Sequence, residues 1–256
     1  MSRIMNGIKR RLRNISKLKG AWRPGFLWLY KNRYLRMDAN VDINDLRRRR
    51  FHLDRYEFAA RSIQEIKKAG ASILDAACGT GYGTNILEKS GAGRVIGVDI
   101  SPEAIEYAQK KYGSGVASFK ASDVSKLDKA ALCADGFDAV VSFETIEHID
   151  DPLAFLKCVA GLLKKDGIFI VSTPNKWGVT KDHKIDYDYG LFRDHLEKFF
   201  EIESIWAQNS GCMEEWINRG QERRLIRAAP QNIEEAECFL AICRQKSTKP
   251  ADAEKR

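Results

Sequence analysis

The amino-acid sequence predicts an α/β protein built on a doubly wound parallel sheet. Three observations carry this. Between residues 51 and 245, short strand-like runs alternate with helix-length segments, the pattern of βαβ units. Ser101-Pro102 and Asp151-Pro152 each place an N-cap residue before a proline at the first helical position. The first strand runs straight into a glycine-rich turn that opens a helix, an arrangement suited to the carboxyl edge of such a sheet. Length agrees, since 256 residues with 44% hydrophobic content can bury one sizeable core and not two full domains.

The first 50 residues stand apart. They hold 15 Lys and Arg against 3 Asp and Glu, so the total charge of +8 divides into +12 on this arm and −4 on residues 51–256. The basic charge therefore belongs to the arm rather than to the body. Ile4, Ile8, Leu12, Ile15 and Leu18 form one helical stripe among Lys and Arg residues, predicting a basic amphipathic helix. Trp22, Phe26, Trp28, Tyr30 and Tyr34 follow, interleaved with Lys31, Arg33 and Arg36. Rings with polar tips beside basic side chains suit the headgroup boundary of a bilayer. Residues 1–36 are thus expected to touch a membrane surface as a peripheral contact, or to pack on the protein itself or on a second copy.

Residues 51–68 read as a helix with Phe58, Ile63 and Ile66 on its apolar side. Strands are predicted over 72–76, 94–99, 116–121, 137–143, 167–172, 200–206 and 237–244, and helices over 82–89, 102–112, 152–163 and 189–200. The run 238–243 is nearly all apolar, as a buried strand should be. The domain is expected to end at 245, before a polar tail over 246–256. No apolar run approaches the ~20 residues that span a bilayer, and no signal peptide is visible. Six cysteines without CxxC spacing argue against structural zinc and for a reducing compartment, so a cytoplasmic protein is expected, at the inner face of the membrane if the arm makes its membrane contact.

The turn reads Asp75-Ala76-Ala77-Cys78-Gly79-Thr80-Gly81-Tyr82-Gly83. Its GxGxG spacing departs from the GxGxxG that cradles a pyrophosphate, and Asp75 would repel phosphate. An acid there favours a ligand carrying an ammonium and a sulfonium. S-adenosylmethionine has both, and its carboxylate suits the positive end of the following helix. The second strand ends at Asp99, able to bind both ribose hydroxyls, and the third ends before Asp123-Val124, an acceptor for an adenine amino group beside an apolar cover for the ring. Three acids at successive strand ends are hard to assign to chance.

In these segments, and in 137–152 and 172–175, the sequence resembles the class I S-adenosylmethionine-dependent methyltransferases, over roughly residues 51–244. The resemblance implies a Rossmann-like sheet of seven strands, mostly parallel with the last antiparallel. It also implies a cofactor at the carboxyl edge among Gly79, Gly81, Asp99, Ile100, Asp123, Val124 and Glu144. Arg55-Tyr56-Glu57-Phe58-Ala59-Ala60 resembles a segment of methyltransferases from bacterial surface-polysaccharide clusters, which implies that Arg55 and Tyr56 close over the cofactor.

Methyl transfer needs in-line alignment, and a hydroxyl acceptor also needs a base or a metal ion to remove its proton. The candidates follow the fourth strand, where one helical turn would put Glu144, Glu147 and His148 on one side. His148 is then a candidate general base oriented by a carboxylate, with Glu144 beside it. Alternatively Glu144, Glu147, His148 and the later His183 hold Mg²⁺ or Mn²⁺, since the ExxEH string resembles metal-binding motifs of ubiquinone-biosynthesis and small-RNA 2′-O-methyltransferases. In a third reading Glu144 contacts the cofactor and His148 only lines the pocket.

The leading expectation is an O-methyltransferase of a saccharide or lipid-linked glycan. An RNA 2′-O-methyltransferase, a quinone-type small-molecule enzyme and a non-enzymatic module of the same fold are alternatives; retention of the glycine turn and Asp99 argues against the last. Nucleic acid is disfavoured as a partner by the acidic body. The acceptor region, 176–188 and 209–232, is polar and irregular, with Trp177, Tyr187, Tyr189 and Trp216 as stacking platforms or loop anchors.

Overall fold

Alternation along the strands assigns the two faces of the sheet. Ile73, Val95, Ala139, Val141, Ile168 and Ile170 are buried on one face, while Leu74, Val98, Val140, Phe169 and Val171 are buried on the other. Successive side chains of a strand point to opposite sides, so strands apolar at every position must be covered twice. The structure, a computed structural model, describes residues 50–67, 69–208 and 225–246. The amphipathic helix and aromatic cluster predicted before residue 50, Trp216, and the tail after 246 lie outside the described residues.

The elements are α1 (Arg50–Lys67), β1 (Ser72–Ala76), α2 (Tyr82–Lys89), β2 (Arg94–Asp99), α3 (Pro102–Tyr112), β3 (Ala117–Ala121), α4 (Lys129–Leu132), β4 (Phe137–Phe143), α5 (Pro152–Leu162), β5 (Leu163–Pro174), α6 (Tyr189–Glu197), β6 (Phe200–Gln208), β7 (Leu225–Arg227) and β8 (Cys238–Gln245). Short 3₁₀ turns occupy Val124–Lys126 and Ile146–His148. Tyr56, Ala59 and Ile63 of α1 and Leu87 of α2 cover the first face of the sheet. Phe155, Leu156 and Val159 of α5 and Phe192 and Leu196 of α6 cover the second. The proline-led helices start as predicted: Ser101 Oγ accepts from Ala104 N at 3.2 Å and Asp151 Oδ1 from Ala154 N at 2.9 Å.

The described strands form one sheet of order β3-β2-β1-β4-β5-β8-β6-β7. β1 to β5 pair in parallel, and β8 inserts antiparallel between β5 and β6. The seven predicted strands are all present, with the last one antiparallel. The sheet has one more, β7, three residues long, pairing with β6 inside a segment that reads as irregular. Three residues are too few to show a period of two, which is why the sequence hides it. β5 begins at Leu163 rather than at 167, because α5 passes into the strand without a loop and Leu163 pairs with Phe137 across a bulge. Among the described residues no helix is long and apolar enough to cross a membrane, and the described cysteines are free thiols.

Candidate active site

The candidate residues gather at the carboxyl ends of β1 to β4, where the order switches on either side of β1. The glycine turn leaves β1 through left-handed backbone at Ala77, Gly79 and Gly81. At Gly81, φ 83°, an added Cβ would lie 2.7 Å from Ala108 Cβ and 2.8 Å from the Phe119 ring, so only glycine lets α2 start this close to α3 and β3. At Gly79 an added Cβ would meet nothing within 4 Å, which leaves the backbone open to a ligand. Asp99 is drawn against the turn, its Oδ2 accepting from Gly79 N at 3.0 Å and its Oδ1 from Ser101 N at 2.9 Å. Beside it Ile100 is 66% exposed, an apolar ledge at the strand end. Asp123 caps the following turn through Ser125 N at 2.9 Å and pairs with Lys126 at 3.4 Å, while Val124 is buried next to it.

Asp75 takes a different part from the one its sequence position suggests. It is wholly buried, and its oxygens accept from Tyr56 Oη at 3.1 Å and Thr84 Oγ1 at 2.7 Å. Burial pushes its carboxyl up to about 7, against the two hydrogen bonds that favour its ionised form. The acid therefore serves the scaffold, binding α1 and α2 to β1, and the open edge is left to the glycine backbone and Asp99. Gly83 makes this possible, because a Cβ there would lie 2.1 Å from the Tyr56 ring. Thr84 carries no signal in the sequence beyond its place at the start of a helix.

Arg55, one residue earlier on α1, reaches the other way. Its Nε donates to Gln208 Oε1 at 2.7 Å and its Nη1 lies 3.1 Å from Glu144 Oε1. Burial opposes the Arg55 charge, but Cys238, Glu144 and further neighbours outweigh it and raise its pKa. Ser172 Oγ, at 3.3 Å, and Cys238 Sγ, at 3.6 Å, also donate to Glu144 Oε1. Arg55 and Tyr56 are thus both buried at the strand ends, bound to Glu144 and Asp75, and Gln208, with nothing in its sequence context to single it out, is the further partner of Arg55.

The helical turn predicted over 144–148 forms only in part. Glu144 has φ 51°, and the 3₁₀ turn starts at Ile146, so Glu144 leaves toward Arg55 while Glu147 and His148 remain together. Glu147 Oε1 lies 3.7 Å from His148 Nε2, and its Oε2 accepts from Thr173 Oγ1 at 3.4 Å. Burial, then the charge of Glu144, holds the Glu147 carboxyl well above the usual carboxylate range. The loop after β5 folds back over this turn, with Lys184 N donating to Glu147 O at 2.7 Å. It brings His183 to 4.7 Å from His148, ring to ring. Burial, then His148, lowers the His183 pKa. Ligand atoms of Glu147, His148 and His183 lie within 4.8 Å of one another. Of the four residues proposed to hold a metal, these three come together and Glu144 does not.

His148 Nδ1 lies 2.7 Å from Asp182 O. A carbonyl only accepts, so Nδ1 carries the proton of the neutral ring and Nε2 keeps its lone pair. The side chain is 41% exposed, open to an incoming group. An accessible imidazole whose tautomer is selected by a backbone carbonyl, just beyond the end of β4, can accept a proton from a neighbouring group.

Comparison with known proteins agrees with this geometry. The family described as methyltransferase domain matches residues 67–229. The chain is 36% identical over 113 residues to a ubiquinone biosynthesis O-methyltransferase of Xanthomonas axonopodis pv. citri, covering 43% of this chain and 46% of that protein. It is 36% identical over 157 residues to the juvenile hormone acid O-methyltransferase of Bombyx mori, covering 54% and 56%. The chain thus spans about half the length of these relatives. Among solved structures, a TehB-like SAM-dependent methyltransferase from Corynebacterium glutamicum superposes with a TM-score of 0.54 at 23% identity, over 79% of this chain and 97% of that one. The N-methyltransferase NodS from Bradyrhizobium japonicum, in complex with S-adenosyl-L-homocysteine, superposes with a TM-score of 0.56 at 18% identity, over 82% and 94%.

Proposed function

The chain belongs to the methyltransferase-domain family, and from that premise we propose that it transfers the methyl group of S-adenosylmethionine to a hydroxyl of a saccharide, with His148 as general base. The observation that carries the proposal is the contact of His148 Nδ1 with Asp182 O, which makes Nε2, 3.7 Å from Glu147 Oε1, the nitrogen that takes a proton. The O-methyltransferase relatives support an oxygen acceptor.

The residues fit the cofactor. The open backbone at Gly79, at the turn that close-packed Gly81 ends, would take its methionine end, Asp99 the ribose hydroxyls, and Ile100 and Asp123 the adenine. When bound, S-adenosylmethionine supplies an electrophilic methyl group on a sulfonium. His148 Nε2 would take the acceptor's hydroxyl proton as the methyl group passes from sulfur to oxygen and S-adenosylhomocysteine is left. The carbonyl of Asp182 holds the Nδ1 proton and steadies the imidazolium that results. Alignment of the acceptor by the walls of the site supplies much of the rest. His148→Ala is expected to lower kcat by about 10²- to 10⁴-fold. S-adenosylhomocysteine affinity, measured by calorimetry, should change little. Near-normal turnover would reject the base.

A second reading is favoured by the convergence of Glu147, His148 and His183. One carboxylate and two imidazoles suit Mn²⁺ better than Mg²⁺, which prefers oxygen donors. These three residues would then hold the ion, which would lower the pKa of a coordinated hydroxyl. Turnover lost to a chelator and restored by Mn²⁺ supports this reading; turnover indifferent to chelation rejects it. A quinol is the second acceptor class, suggested by the ubiquinone relative. The basic, aromatic-rich residues 1–36 support peripheral contact with an anionic membrane, where a lipid-linked glycan would be met. Vesicle sedimentation with and without those residues tests it.

A further inference from the structure

Trp177 stands out on the loop that covers the catalytic turn. Its indole is 57% exposed, and the neighbouring Val179 is 70% exposed. The backbone is left-handed on both sides of it, φ 52° at Lys176 and 84° at Gly178, and the former is costly for a residue with a side chain. Hydrogen bonds hold the loop's shape alongside the packing of the indole on His183. Lys176 N donates to Tyr187 O at 2.7 Å, Gly178 N to Asp186 Oδ1 at 2.8 Å, and Thr180 N to His183 O at 2.9 Å. Anchoring falls to Tyr187, which is buried, and to Tyr189, packed edge-on against Phe239 at 5.4 Å. The remaining ring contact of Trp177 leads into the site: its centroid lies 6.0 Å from His183, which lies 4.7 Å from His148.

We propose that Trp177 is the acceptor platform, the surface on which the ring of a hydroxylated cyclic acceptor stacks while its hydroxyl meets His148. This rests on the methyltransferase reading of the same site and adds the shape of the substrate to it. An indole offers a broad, flat, weakly hydrated face, which recognises the C–H face of a pyranose or the π face of a phenol and gives little to an open-chain alcohol. The loop's hydrogen bonds at Lys176, Gly178 and Thr180 favour that placing of the face beforehand, which lowers the ordering cost of binding.

The test uses the full chain saturated with S-adenosylhomocysteine, with methyl α-D-glucopyranoside and catechol as ring probes and glycerol as open-chain control. Saturation-transfer NMR measures binding to wild type, Trp177→Ala and Trp177→Phe. At least one ring probe is expected to bind wild type and to bind Trp177→Ala about 5- to 10-fold more weakly. Trp177→Phe should retain most of the affinity, and glycerol should be indifferent. The ring class that responds identifies the source. With an acceptor that turns over, Trp177→Ala should raise KM and leave kcat nearly unchanged. Absence of ring binding to wild type, equal binding by Trp177→Ala, or a parallel loss of S-adenosylhomocysteine affinity would overturn the platform. Methylation of nitrogen or sulfur on a ring that still depends on Trp177 would overturn the oxygen acceptor of the proposed function and leave the platform standing.

Discussion

Tyr56 on the helix before the sheet donates a 3.1 Å hydrogen bond to Asp75 at the end of the first strand, beneath the glycine turn. The preceding residue, Arg55, reaches Glu144 beyond the fourth strand. Two adjacent side chains of α1 therefore clamp both sides of the switch point, and the helix that precedes the sheet helps set the shape of its carboxyl edge.

Gly83→Ala should disturb that clamp. The new Cβ would sit 2.1 Å from the Tyr56 ring, so the ring must move off Asp75 or α1 must shift. Overpacking of this kind costs about 1–3 kcal/mol. Urea unfolding is expected to show that loss together with weaker S-adenosylhomocysteine binding, and a fully stable variant with native affinity would show the clamp to be dispensable.

Asp75 should make stability depend on pH. Its carboxyl sits at about 7 in the folded protein, above the usual carboxylate value, so the folded state holds this proton more tightly than the unfolded state. The contribution is complete below about pH 4 and is lost as pH rises through about 7, by up to about 4 kcal/mol. Unfolding of Asp75→Asn, compared with wild type between pH 4 and 8, should lack that falling component. Parallel curves would place the proton elsewhere.

Arg55→Lys keeps the charge but has a single nitrogen in place of a fork that meets Gln208 and Glu144 together. A loss of about 1–3 kcal/mol is expected from the buried hydrogen bond given up, read by thermal or urea unfolding. Unchanged stability would show that one of the two contacts carries nothing.

Ile100→Ser should separate fold from ligand. At 66% exposure the side chain contributes little to packing, so stability should stay within about 0.5 kcal/mol of wild type. Calorimetry should show S-adenosylhomocysteine bound at least several-fold more weakly if the ledge covers the adenine, and equal affinity would remove Ile100 from the site.

Patterns local in the chain are legible in the sequence. Strand and helix periodicity, Ser-Pro and Asp-Pro starts and the GxGxG turn act within a few residues of one another, so the elements and the placing of Gly79, Gly81, Asp99 and Asp123 could be read directly. Spacing misled at Glu144, where one left-handed residue broke an otherwise helical ExxEH and sent the two carboxylates to different partners. A φ angle chosen by the surrounding packing leaves no mark in the order of residues.

What the sequence determined by itself is the α/β architecture and the glycine turn at the carboxyl edge of the sheet, because both follow from apolar periodicity and turn chemistry that neighbouring residues share. The tertiary structure alone decided that Asp75 faces inward to Tyr56 and Thr84, that Glu144 pairs with Arg55, and that Trp177 rather than Tyr187 or Tyr189 stands in the open beside His183 and His148. Each depends on which of two faces a side chain takes and on what lies opposite it. That is settled by packing between segments tens of residues apart, where burial and hydrogen-bond satisfaction outweigh local preference.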